Sequence, residues 1–272
     1  MESQLLKSTQ ALPSGVRVVP LFDFVSKLVF QASIATLFNE AAGEDKELYN
    51  AFVTFDKQLP ISAAGINVAY MSGPLKARTK LLAGVMKYRD NLCEFMDQRW
   101  KHFEESSMPL ADAAVLQMII LWASVGNTMP VTFWLFFFLL KDPALFDQAR
   151  HEIETCLASG SNRREPSQEQ LDSMYFLDAC ISEALRLSSG SLIMRFVQRP
   201  TEITLSSGNK YKLRKGDRLG LSPTLIYHDE EVFPEAAKFI PSRWMGGDTP
   251  EERMMASCGK KTLYKDGKEI AK

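Results

Sequence analysis

The sequence predicts a mainly helical α+β fold with a small β-sheet. Three observations carry it. Apolar residues recur at three- and four-residue spacing through most of the stretch from Leu21 to Leu187, the mark of amphipathic helices. Residues 113–140 are 28 positions without a charge. After Ser188 the period shortens, and 201–205 and 210–213 flank Ser206-Ser207-Gly208-Asn209, a hairpin composition.

The elements follow in order. Residues 1–20 form a polar N-terminal segment with neither an apolar signal core nor a transit-peptide composition. A helix over 21–38 is followed by a polar break at 39–45 and a second helix over 46–59. Residues 60–73 read as irregular, with an apolar patch at 66–71. A third helix is expected over 74–103, broken near Gly84; its Lys76, Arg78, Lys80, Lys87, Arg89, Asp90 and Arg99 read as a solvated face. Residues 104–109 are a linker. The uncharged run 113–140 is apolar all round, which means either deep core or membrane, since roughly 20 apolar residues span a bilayer. Against a span stand Gly126, Asn127 and Thr128 near its middle, Pro130, which removes a backbone donor, and flanks without a dense Lys/Arg cluster. A helix over 144–157 comes next, then a loop over 158–170. Ser173 is placed to cap a helix over 174–187. Strands are expected at 192–197, 201–205, 210–213 and 218–221, a short helical stretch at 223–227, and an irregular tail beyond.

Composition removes several functions. The chain is 46% hydrophobic and 24% charged, normal for a globular core, and 32 Lys/Arg against 33 Asp/Glu offer no basic face to a nucleic acid. Cys93, Cys156, Cys180 and Cys258 are widely spaced, without the pairing of a zinc or redox motif. His102, His151 and His228 stand apart, so no metal ligands are assigned.

Two motifs stand out. Glu183 and Arg186 lie three apart on the 174–187 helix and share a face. Alone, such a pair is common on helix surfaces. Here its neighbours include Leu177, Ala179, Ile181, Ala184 and Leu187, and a buried carboxylate and guanidinium would need many partners. Phe239-Ile-Pro-Ser-Arg243-Trp244 places a second arginine 57 residues after Arg186, and a planar fork of donors suits bridging a carboxylate and carbonyls.

With Asn127-Thr128 on the central helix, these motifs resemble the cytochrome P-450 superfamily, within it the branch of sterol 7α/12α-hydroxylases and prostacyclin synthase. The resemblance runs from about Leu21 onward and implies a partial domain over 21–272, incomplete at both ends, with the central helix at 110–140, the Glu-x-x-Arg helix at 174–187 and the hairpin at 201–213. It implies that Glu183, Arg186 and Arg243 form an architectural network. Asn127 and Thr128 become the catalytic candidates, handling protons for iron-bound dioxygen. Most members carry an acid before this threonine; Asn127, and the proline at position 130, match the named branch. Read without the family, the same residues are a proline kink with locally satisfied side chains. Arg195 is implied as a haem-propionate partner, with Ser191, Leu192 and Ile193 lining the substrate site.

The family's ligand loop, F-x-x-G-x-x-x-C-x-G, does not occur in the 272 residues. Cys258, in Ala-Ser-Cys-Gly-Lys-Lys, has neither the preceding aromatic-glycine loop nor a helix-forming run after it and is not taken as the iron ligand. The resemblance therefore implies haem as cofactor, a sterol or other lipid substrate, an electron-donating reductase and the endoplasmic reticulum membrane for a full-length member, but an inactive chain as it stands. Two alternatives remain: an isomerase of the prostacyclin synthase type, and a non-enzymatic helical membrane protein spanning at 113–140.

Overall fold

The computed structural model describes residues 18–60, 72–158, 166–190, 192–205, 207–247, 263–265 and 268–270. Two compact units divide the chain, residues 1–133 and 134–272.

The first unit is helical. It contains α1 (Leu21–Leu37), α2 (Glu40–Glu44), α3 (Lys46–Asp56), α4 (Ser72–Lys87), α5 (Glu94–Glu105), α6 (Leu110–Gly126) and the start of α7 (Thr128–Lys141). Val25, Phe30 and Ile34 of α1, Phe52 of α3, Leu81 of α4 and Leu121 of α6 are essentially solvent-free and form one core. Caps punctuate the polar break. Asn39 Oδ1 accepts the Ala42 amide to start α2, and Asp45 Oδ1 accepts those of Glu47 and Leu48 to start α3. The break thus contains a turn of helix that the sequence pattern missed. Gly43 lets α2 lie against α1: a Cβ there would sit 2.7 Å from the Gln31 carbonyl oxygen.

The long third helix is in fact two helices. The chain leaves α4 at Tyr88 and re-enters helix at Glu94, with Asn91 in the left-handed region at φ 59°. That corner is tied down by Cys93 N donating to Leu37 O and by Asn39 Nδ2 donating to Asp90 O. Gly84, the expected break, sits inside α4 and faces Leu48 of α3. Asp45 adds a latch, its Oδ2 accepting from Tyr88 Oη at 2.7 Å and Lys87 Nζ at 3.2 Å.

The second unit holds the rest of α7, α8 (Pro143–Ala158), α9 (Gln168–Asp172), α10 (Tyr175–Ser188), β1 (Ile193–Phe196), β2 (Thr201–Thr204), β3 (Lys210–Leu213), β4 (Arg218–Leu221), α11 (Pro223–Tyr227), a 3₁₀ turn at Pro241–Trp244, β5 (Leu263–Lys265) and β6 (Lys268–Ile270). Strand β1 pairs antiparallel with β4, Ile193 opposite Leu221, and β2 pairs with β3, Thr201 opposite Leu213. Gly208 takes φ 83° in the hairpin turn, a conformation glycine adopts without strain. Leu139, Ala149, Phe176 and Cys180 form the core where α7, α8 and α10 meet.

Ser173 does not cap α10. It closes α9, its hydroxyl donating to Gln170 O, while α9 carries its own capping box from Ser167 and Gln170. The 158–170 loop therefore ends in a helix start. Glu152 of α8 serves α10 instead: its two carboxylate oxygens accept the amides of Phe176 and Leu177, each at 2.8 Å. A negative charge also complements the positive end of a helix.

Candidate functional site

The expected charge network lies at the C-terminal half of α10. Arg186 grips Glu183 bidentately, Nε to Oε2 at 2.9 Å and Nη2 to Oε1 at 2.8 Å. The other guanidinium donors go to backbone: Nη1 to Tyr227 O and to Ala236 O at 2.8 Å, and Nη2 to Lys238 O at 3.1 Å. Every N–H of the fork is thereby used, which lysine could not reproduce. Glu183 is as fully engaged. Its Oε1 also accepts from Ile240 N at 3.0 Å and Arg243 Nε at 3.3 Å, and its Oε2 from Trp244 Nε1 at 2.8 Å. The Glu183 and Arg186 side chains are 0% and 1% exposed, and that of Arg243 8%.

The electrostatics follow. Burial of the Glu183 carboxyl drives its pKa upward, but hydrogen bonds from Arg186, Trp244 and the Ile240 amide, with the Arg186 charge, outweigh it and hold the group below its ordinary value. The ring of Phe233 lies under the Arg186 guanidinium, 5.1 Å from its centroid. Arg243 Nη2 donates to the Glu235 carbonyl at 3.0 Å, and Glu235 holds φ 56°. The first residue of the second motif has its own anchor: Phe239 stacks on Phe138 of α7, centroids 4.7 Å apart and planes 9° from parallel. Chemically the arrangement is inert. Glu183 and Arg186 have no open acceptor or donor for a substrate, and the work of the network is to fasten the irregular segment 227–244 to α10. Trp244, Ile240 N, Phe233 and Glu152 escaped the sequence reading. Trp244 had a signal, as the last residue of the Phe-x-Pro-x-Arg-Trp motif; the others are set by approach in space.

The central-helix candidates belong to the first unit. Asn127 alone interrupts the helix between α6 and α7. Pro130 has no N–H to give the Gly126 carbonyl, and the next bond, Val131 N to Asn127 O, is stretched to 3.4 Å. Thr128 Oγ1 donates to Ser124 O at 2.9 Å, leaving its lone pairs open, and both Asn127 and Thr128 are exposed. Full burial of 113–140 does not hold. Ala113, Ala114, Gln117, Met118, Leu121, Val125 and Met129 are buried, whereas Ile119 is 46% and Leu140 54% exposed. The reason is that a helix apolar all round has only one stripe covered by its neighbours.

By length and composition the helix Leu110–Lys141 could cross a membrane. Its inner face, however, is held by polar tethers: buried Gln117 accepts from Arg99 Nε at 3.0 Å and donates to Met96 O, and Trp122 Nε1 donates to Asp56 Oδ1 at 2.9 Å. These tethers fix the covered face of α6 to α3 and α5.

In the second unit Arg195 lies on β1, opposite Leu219 of β4. Its side chain is exposed and donates to the Met194 carbonyl at 3.0 Å. Leu192 and Ile193 are 59% and 41% exposed, and Ser191 lies outside the described residues.

Comparison with known proteins fixes the family. The family model Cytochrome P450 matches residues 75–257. The rat 25-hydroxycholesterol 7-alpha-hydroxylase is 30% identical over 99% of this chain and 65% of its own length. Bovine prostacyclin synthase is 30% identical over 99% of this chain and 57% of its own, and cholesterol 7-alpha-monooxygenase from Cricetulus griseus 29% identical over 90% and 52%. This chain belongs to the cytochrome P450 family. It spans between half and two-thirds of the length of these relatives.

Membership implies haem, and the described residues fit its edge but not its iron. Arg195 offers an open guanidinium of the kind that pairs with a propionate. An axial thiolate needs a cysteine that ionises readily. Cys180 is fully buried, and burial, aided by the Glu152 charge, pushes its pKa up to about 12. Cys156 Sγ donates to the Gln170 carbonyl. Cys93 forms the N-cap of α5 at the corner anchored on Leu37. Cys258 lies outside the described residues. Among the described residues no group of three or more His, Cys, Asp or Glu could hold a metal.

Proposed function

We propose that this chain is the central part of a haem-thiolate monooxygenase that hydroxylates a sterol or other lipid with dioxygen and electrons from a reductase, at the endoplasmic reticulum membrane. The observation that carries the reading is the closed Glu183–Arg186–Arg243 network inside the span matched by the family model. It gives the segment after α11 one fixed course, the requirement for any site built on it. The sterol class rests on the relatives, two of which are named for 7-alpha oxidation of sterols.

Within this reading Arg195 would pair with a haem propionate, Leu192 and Ile193, with Ser191, would border the substrate, and Asn127 and Thr128 would handle protons for oxygen activation. When bound, haem supplies the oxidising chemistry; the chain's part is to orient the substrate and hold the proton route. Thr128 already spends its proton on Ser124 O, so its hydroxyl is aligned as an acceptor. The 272 residues contain no match to the family's ligand loop.

Prostacyclin synthase among the relatives favours a second reading, an isomerase that needs no external electrons. Membranes from cells expressing the gene from its genomic locus distinguish the two. NADPH-dependent oxygenation of 25-hydroxycholesterol or cholesterol, lost on gene deletion, supports the first reading. Rearrangement of a fatty-acid endoperoxide without NADPH overturns it in favour of the second.

A further inference from the structure

The break between α6 and α7 is held from outside by a residue with no part in the proposed chemistry. Pro130 has no N–H for the Gly126 carbonyl, and Val131 N reaches Asn127 O at a stretched 3.4 Å, so backbone bonds alone fix the course of this turn weakly. The side chain that lies on the turn is Trp122, one helical turn before Gly126 and on the same face of α6. A Cβ on Gly126 would stand 3.1 Å from Trp122 Nε1 and 3.3 Å from its Cε2, so the edge of the indole rests directly on the glycine backbone.

The indole is in turn fixed by Asp56. Its Oδ1 accepts from Trp122 Nε1 at 2.9 Å, and the same oxygen is 3.5 Å from the place of that Cβ. Asp56 is the last residue of α3, and both side chains are half-buried. An acid there meets the negative end of the helix dipole, and the last turn of α3 contains no basic residue to offset it. Local preference thus argues against an acid at position 56. The compensating gain lies across the α3–α6 contact, in a charge-assisted bond to an indole that has a single donor to give. A residue that breaks a local rule for a tertiary bond marks a place where position matters.

We propose that Asp56 is a positioning residue for the α6–α7 break: by holding the Trp122 indole on Gly126, its carboxylate fixes the backbone that carries Asn127 and Thr128. Asp56 acts through Trp122 and the main chain, not as a proton donor of its own. Its consequence for proton handling rests on the function proposed above; its hold on the turn does not.

Two measurements test this. In the purified 272-residue chain, hydrogen-exchange mass spectrometry reads the amides of residues 126–131. Asp56→Ala should speed their exchange about tenfold or more, the loss of one hydrogen bond to a charged group. Asp56→Asn keeps an acceptor and should stay within about threefold of the parent. Trp122→Phe keeps a ring and removes the donor. It should loosen the turn as Asp56→Ala does, and the double variant should go little further, because each change removes the same bond. In the full-length enzyme expressed from its genomic locus, Asp56→Ala should lower kcat about tenfold with KM within about twofold, since misplacing a reacting group slows chemistry more than it weakens binding. Asp56→Asn should restore kcat. Equal exchange at 126–131 in the parent and Asp56→Ala overturns the proposal. So does Asp56→Asn exchanging as fast as Asp56→Ala, additive effects in the double variant, faster exchange spread evenly over α1 and α5, or a raised KM at unchanged kcat. A parent enzyme without NADPH-dependent oxygenation defeats the function proposed above, and the exchange results alone then decide whether Asp56 fixes the turn.

Discussion

Removing the Glu183 carboxylate should be among the most damaging single changes in the second unit. Glu183→Ala leaves the Arg186 guanidinium, with its side chain 1% exposed, without its counter-ion. It also strips acceptors from Ile240 N, Arg243 Nε and Trp244 Nε1. Breaking a buried ion pair from one side costs about 3–5 kcal/mol, and orphaned buried donors add to the same loss without summing independently. For a unit of this size that is a fall of roughly 10 °C or more in midpoint temperature. Glu183→Gln should recover little, since its amide NH₂ would face the donors on Arg186 Nε and Trp244 Nε1 or, flipped, those on Ile240 and Arg243. The loss should also depend on pH in a definite sense. Because the folded-state pKa of Glu183 lies below its unfolded value near 4.5, its stabilisation is complete above that value and disappears as pH falls through the lower one. Urea titrations followed by Trp fluorescence and circular dichroism, at neutral pH and at stepwise lower pH, read both effects. A loss under about 1 kcal/mol at neutral pH, or a parent and variant with the same acid slope, would refute the reasoning.

Other outcomes follow from the same geometry. Asp45 is held at about 2, its burial opposed by hydrogen bonds from Tyr88, the Leu48 amide, Lys87 and the Glu47 amide. The advantage of the parent over Asp45→Asn should thus be full above the ordinary value of 3.8 and vanish as pH falls to about 2, measured by acid titration of helicity. Glu152→Ala removes the clamp on two amides at the start of α10 and should speed exchange of the Phe176 and Leu177 amides about tenfold, in line with the loss of an N-cap, as hydrogen-exchange mass spectrometry can resolve. Cys180, with its thiol pushed up to about 12 and no exposed surface, should resist alkylation at pH 8 in the native protein and react once urea unfolds it; modification of Cys180 in native buffer would contradict its packing. Finally, the 272-residue polypeptide mixed with haem, reduced and exposed to carbon monoxide should give no red-shifted thiolate band. A thiolate band that Cys258→Ser abolishes would make that residue a ligand.

Much of the helical order was legible in the sequence because periodicity and spacing are local. The α1, α3, α8 and α10 helices and the β2–β3 hairpin follow from apolar recurrence and from a Ser-Ser-Gly-Asn turn. The partnership of Glu183 with Arg186 follows from a three-residue step on a helix, and the approach of Arg243 from a motif that recurs at that separation. What spacing cannot contain is which chain passes nearby. The corner at 88–93 instead of Gly84 was decided by packing: Gly84 is sheltered against Leu48, while Asn91 could take the left-handed turn and Asn39 could bind the Asp90 carbonyl. Ser173, a good cap by sequence, lost α10 to Glu152, because a carboxylate from a neighbouring helix supplies two acceptors where one hydroxyl supplies a weaker one. Likewise the charge balance of the Glu183 site rests on the Trp244 indole and on the carbonyls of Tyr227, Ala236 and Lys238, backbone groups that every sequence possesses but only a tertiary fold aims. Local propensity is a property of neighbours along the chain; hydrogen-bond satisfaction of a buried charge is a property of neighbours in space, and only the folded structure specifies those.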